Sequence, residues 1–92
     1  MMAYSETFRA MTRTLMAVAD ELCGGRLVLS HEGGYSPVYV PFCGLAVMEE
    51  LSGVKTAVDD PMAAAAASVG GPELQPHQDA LIRQAERHLS LV

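Results

Sequence analysis

A tyrosine behind two glycines is where this chain is best equipped for chemistry. In Ser30-His31-Glu32-Gly33-Gly34-Tyr35, which follows the apolar run Leu27-Val28-Leu29, a phenol stands at the mouth of an expected strand. A phenol held there can donate a hydrogen bond to a reacting carbonyl oxygen. The paired glycines let the backbone take dihedrals closed to other residues and come close to a small bound group, so Tyr35 is expected over a tight pocket. His31 reads as a structural hydrogen-bonding residue near the strand end, and Glu32 as an anchor for the loop's backbone amides. A phosphate cradle is the competing reading of Gly33-Gly34, but neither G-x-G-x-x-G nor a P-loop lysine accompanies the pair.

Other reactive residue types are sparse. The histidines are His31, His77 and His88, with no H-x-H, H-H or D-x-H among them. Three converging ligands for a catalytic zinc are therefore not expected, and no residue is assigned to a metal. Cys23 and Cys43 lie twenty positions apart without a C-x-x-C, and both are expected to be buried thiols in a reducing compartment.

The elements that must position Tyr35 follow from periodicity. A helix is predicted over 5–23, with Ser5 as N-cap, Gly24-Gly25 as its stop, and Phe8, Met11, Leu15, Val18, Ala19 and Leu22 on one packed face. Arg9, Arg13, Asp20 and Glu21 fall on the opposite, solvated side. The run 26–30 lacks alternation, which suits a strand covered on both faces, as in a parallel sheet between helices. Its sheet neighbours would have to come from elsewhere, since Lys55 to Val58 is the only other, weaker candidate. The Tyr35 loop spans 31–38, and a second helix is predicted over 40–52, with Pro41 in its first turn and Gly53 after its end. That helix is apolar nearly all round, and Glu49 and Glu50 mark its wet end. A linker over 53–75 contains the helix-prone, low-complexity Ala63–Ala67 tract, and Pro76 opens a last helix over 76–91. In it Leu81, Ala85, His88, Leu89 and Val92 share a side.

Composition narrows the classes of function. The 92 residues are half apolar and carry a formal charge of −5, with only six Lys and Arg. Nucleic acid is disfavoured, because phosphate binding needs clustered cations. The longest uncharged central stretch, Gly33 to Met48, holds two prolines and three glycines and falls short of the roughly 20 apolar residues a membrane span needs. Glu6 and Arg9 interrupt any signal-peptide core, so a cytoplasmic location is expected and no membrane partner. A domain this small hides only roughly 60% of its unfolded surface, leaving much apolar area uncovered in a free monomer. The chain therefore pairs with something or forms part of a larger fold.

The stretch GGRLVLSHEGGYSPVYVPFCGLAVMEELSG, Gly24 to Gly53, resembles the C-terminal region of the bacterial histone deacetylase-like amidohydrolases, close to class II histone deacetylases and acetylpolyamine amidohydrolases. SETFRAMTRTLMAVADELC resembles the helix just upstream, and DDP with LQPHQ the closing segment more loosely. The resemblance implies an α/β fold: a C-terminal portion of an arginase/deacetylase-like three-layer fold with a parallel sheet, mostly helical in the covered part. It implies zinc-dependent removal of an acetyl group from acetyl-lysine or another acetylated amine. Tyr35 then matches the catalytic tyrosine whose hydroxyl binds the scissile carbonyl oxygen and stabilises the oxyanion, and Gly33 and Gly34 match substrate-binding glycines walling the acyl pocket. The family holds its zinc through Asp-x-His and Gly-Phe-Asp segments, and neither occurs here. Zinc is thus implied for a full-length family member and none for this chain alone, which is expected to be inactive by itself. The alternative is a non-catalytic helical interaction module that self-associates through its apolar helix or docks on a partner.

Overall fold

The computed structural model describes residues 3–69 and 74–89. Four helices follow one another: α1, Ser5–Cys23; α2, Val40–Ser52; α3, Ala63–Ser68; and α4, Pro76–Leu89. The residue before α1 is Tyr4, with extended backbone (φ −132°, ψ −176°), and its N–H donates to Thr7 Oγ1 at 3.4 Å. Ser5 is therefore the first helical residue rather than the N-cap. Its hydroxyl is drawn away to donate to Asp60 Oδ2 at 2.6 Å. Gly24 ends α1 in the left-handed region (φ 61°, ψ 40°), and its N–H returns to Ala19 O, as does that of Gly25 at 2.9 Å. Pro41 sits in the first turn of α2, and Gly53 closes it at φ 70°.

α1 and α2 pack on each other as the principal helix pair. Arg9, near the start of α1, bonds Glu49 near the end of α2, and Arg13 bonds Glu50, so the pair is an antiparallel hairpin closed by residues 24–39. The buried residues of α1 are Ser5, Thr12 and Ala19, and those of α2 are Cys43, Ala46 and Glu49. Small and polar groups thus meet between the helices. The expected packed face is covered only in part: Ala19 is buried and Phe8 half-buried, but Met11 and Leu15 are each 46% exposed, and Leu22 is 76% exposed. The reason is electrostatic. Arg9 and Glu49 meet at 2.7 Å with the Glu49 side chain buried, so a charged pair takes up part of the seam that apolar groups would otherwise fill. Arg9 is accordingly not on a solvated face, and Glu49 is buried rather than wet.

Three further expectations are corrected. No strand occurs among the described residues, and 26–30 and 55–58 have no regular pairing, because a strand requires a neighbour's hydrogen-bond ladder and neither segment meets one. The expected linker contains α3: Asp60 Oδ1 accepts from Met62 N–H at 2.8 Å, and the alanines that follow are the strongest helix formers. Cys23 is exposed while Cys43 is buried. Cys23 is the last residue of α1 and its thiol donates outward to Arg26 O at 3.2 Å, whereas burial raises the Cys43 thiol's pKa. α4 has no buried residue among those described, and its Leu81 and Leu89 lie open. The last expected helical positions, 90 and 91, and Val92 fall outside the described residues.

Candidate functional site

Residues 31–38 form the turn of the α1–α2 hairpin, and two devices hold it to α2. Ser36 accepts from both following amides, through its hydroxyl from Tyr39 N–H at 3.3 Å and through its carbonyl from Val40 N–H at 3.1 Å. Gly34 stands at φ 81°, where a Cβ would meet Val40 Cγ2 at 3.0 Å and His31 Nε2 at 3.6 Å. Only glycine takes that dihedral freely and leaves room for Val40. Gly33 is also left-handed, at φ 71°, but open around its Cα. His31 and Glu32 are exposed, and Glu32 accepts from the Ser30 hydroxyl at 3.1 Å rather than gripping backbone amides.

Tyr35 itself is 95% exposed. The loop thus fixes where the tyrosine starts and leaves its side chain in solvent, with no pocket wall from the described residues. Two cavities lie at the far end of the hairpin. One, of about 190 Å³, is lined by Ser5, Arg9, Phe42, Glu49, Lys55 and Asp60, among others; a second is lined by Arg13, Glu50 and Gly53. Neither touches residues 31–38.

That far end carries a polar network that apolar periodicity does not announce. Arg9 spreads its three nitrogens over Glu6 at 3.1 Å, Glu49 at 2.7 Å and Glu50 at 3.5 Å. Arg13 grips Glu50 in a two-pronged fork at 3.2 and 2.8 Å. Glu49 Oε1 also accepts from Thr56 N–H at 2.7 Å and Thr56 Oγ1 at 2.6 Å. With the Thr56 donors first and Arg9 beside them, the Glu49 carboxyl is held down to about 2. Arg13 depresses the Glu50 carboxyl, and the glutamates raise both guanidinium pKa values. The available signal was Arg9 and Arg13 four apart on one helix, facing adjacent glutamates on another.

A histone deacetylase-like amidohydrolase from Pseudomonas aeruginosa is 61% identical to this chain over 62 residues, which is 67% of the chain and 16% of that protein. This chain carries a segment of the histone deacetylase-like amidohydrolase family. It spans about one sixth of that relative's length. No family model matches. The described residues are mostly helical, as expected for this part, and no sheet occurs among them. No described helix is long and apolar enough to cross a membrane. Among the described residues no three His, Cys, Asp or Glu side chains gather so as to hold a metal.

Proposed function

We propose that this chain supplies the oxyanion-stabilising tyrosine of a deacetylase acting on acetyl-lysine or other acetylated amines. The identity to a histone deacetylase-like amidohydrolase supports the reading, together with a glycine-hinged loop that presents Tyr35. Hydrolysis adds water across the amide C–N bond, releasing acetate and the free amine. As water adds, negative charge grows on the former carbonyl oxygen, and the Tyr35 O–H donates to it. A donor aimed at such an oxygen is worth about 3–4 kcal/mol in enzymes where one has been removed. Gly33 and Gly34 border the acyl group, where a side chain would fill the space.

The 92 residues alone are inactive in this reading, because nothing in the described part faces Tyr35 or activates water. The catalytic domain, its parallel sheet and its zinc ligands then belong to polypeptide other than this segment. Two measurements test it. The purified chain should not hydrolyse a fluorogenic acetyl-lysine substrate, and turnover that a chelator abolishes would refute that. In a full-length relative carrying this segment, Tyr35→Phe should cut turnover about 100-fold or more with zinc content unchanged; wild-type turnover would remove the tyrosine from the mechanism. A second reading, a non-catalytic interaction module, is favoured by the open apolar side of α1. It predicts a stable complex of the free chain with itself or a partner and no dependence of any hydrolysis on Tyr35.

A further inference from the structure

We infer that Ser36 is a positioning residue for Tyr35: as the N-cap of the helix that follows, it sets the direction from which the chain presents the phenol. The inference rests on the deacetylase reading above and names a second residue on which that reading depends. Tyr35 is 95% exposed, so no neighbouring side chain among the described residues fixes its ring. Its aim within this segment is set by the backbone on either side. Among the described residues from 31 to 38, Ser36 is the one whose side chain bonds backbone.

The cap is complete one turn before Val40. The Ser36 carbonyl accepts from Val40 N–H at 3.1 Å, four residues on, and its hydroxyl accepts from Tyr39 N–H at 3.3 Å, three residues on. An N-cap residue accepts in both these ways: its carbonyl opens the helical ladder, and its side-chain oxygen takes an amide that the ladder leaves over. Pro37 follows at the first helical position, where an N–H would have no partner in the helix, and a proline there disfavours helical backbone at Ser36. Tyr39 is already helical, at φ −97° and ψ −42°, so residues 37–39 make a first turn for α2 rather than slack loop. Upstream of the tyrosine, Gly34 reaches the same turn, since a Cβ there would come within 3.0 Å of Val40 Cγ2. Tyr35 is thus held between two attachments to one helical turn. Without the Ser36 hydroxyl, Tyr39 N–H loses its partner, the turn loosens, and the phenol strays from the oxygen it must reach. A misplacement of about 1 Å can cost about 100-fold in rate.

In the 92-residue chain, Ser36→Ala should speed amide exchange at Tyr39 and Val40 about 5-fold and lower the order parameter of the Tyr35 amide. Ser36→Asn, which keeps a capping oxygen, should restore both. In a full-length relative carrying this segment, Ser36→Ala should lower kcat about 10-fold, with KM within about twofold and zinc content unchanged, and Ser36→Asn should recover most of that loss. Added to Tyr35→Phe, Ser36→Ala should cost less than about twofold more, because it acts through the hydroxyl already removed. A further loss as large as in the single variant would mark general damage and overturn the inference. Unchanged exchange and order in the free chain would overturn it too, as would Ser36→Asn as slow as Ser36→Ala. Wild-type turnover of Ser36→Ala beside a crippled Tyr35→Phe overturns the positioning role alone, whereas wild-type turnover of Tyr35→Phe ends the catalytic reading and the positioning role with it.

Discussion

At one end of the α1–α2 hairpin, Arg9, Arg13, Glu49 and Thr56 exchange hydrogen bonds until little is left to satisfy; at the other, Tyr35 stands 95% exposed and Leu27–Ser30 hold out unpaired backbone. The closed end behaves as a finished piece of protein. Charges buried there are tolerated because each meets a partner, and losing one partner would leave the other stranded. The open end has the opposite balance: apolar and reactive groups with nothing against them. The contrast teaches that self-sufficiency is distributed unevenly along this segment. The polar clamp holds the hairpin, while the phenol and the apolar side chains at the other end stay open among the described residues.

The sharpest way to break the comparison is at the open end. Tyr35→Phe in the full-length setting should lower turnover about 100-fold or more, yet leave the free chain's helical circular dichroism and thermal midpoint unchanged, because the hydroxyl touches nothing there. A stability change in the free chain would mean that the open end is less empty than it looks. Next comes Arg9→Met at the closed end. It removes three carboxylate contacts at once, and the expected outcome is loss of the cooperative urea transition of the hairpin. Arg13→Met, whose side chain is largely exposed, should only lower the midpoint.

Acidification probes the same clamp without mutation. Glu49 ionises at about 2 in the folded chain, against an ordinary 4.5. A depressed carboxyl contributes stability that is present above its unfolded value and lost as pH falls through its folded one. Stability should hold at neutral pH and decline from about 4.5 towards 2. In Glu49→Gln, acid titration followed by circular dichroism should show a flatter decline across that window. Smaller again is Gly34→Ala, which forces a Cβ into the left-handed region at a cost of about 1–2 kcal/mol. Pairing it with Val40→Ala should recover only the part due to the 3.0 Å approach, measured by denaturant titration. The least effect is expected from Arg83→Ala on exposed α4, where the i,i+4 pair with Asp79 is worth about 0.3–0.5 kcal/mol.

How far the sequence discloses this arrangement depends on the range of the interaction concerned. Helix ends are written locally, in Gly24, Pro41, Gly53 and Pro76, and α1, α2 and the start of α4 fall where those residues put them. The turn carrying Tyr35 is equally local, since its positive dihedrals need Gly33 and Gly34. The packed face of α1 is not local. Periodicity of Met11, Leu15, Val18 and Leu22 identifies a side that belongs against something, and within this segment the charges of α2 claim the neighbouring side first. Two unlike faces on one helix call for two partners, and a pattern of apolar residues reports only one of them. The strand expected over 26–30 is absent for a related reason: pairing is a property of two segments, and among the described residues no second segment pairs with this one. The walls of a pocket around Tyr35 share that dependence.

The double grip of Ser36 on the first amides of α2 has one more consequence. It ties the Ser36 side chain and the Ser36–Pro37 carbonyl, one residue beyond Tyr35, to the start of α2, so the chain leaving the tyrosine is held near a rigid rod. Any cavity that closes over the tyrosine has chiefly two side-chain torsions to settle, sparing much of the roughly 1–2 kcal/mol of backbone entropy that freezing a slack residue would cost. Part of the backbone cost of seating this residue is thus met inside the segment.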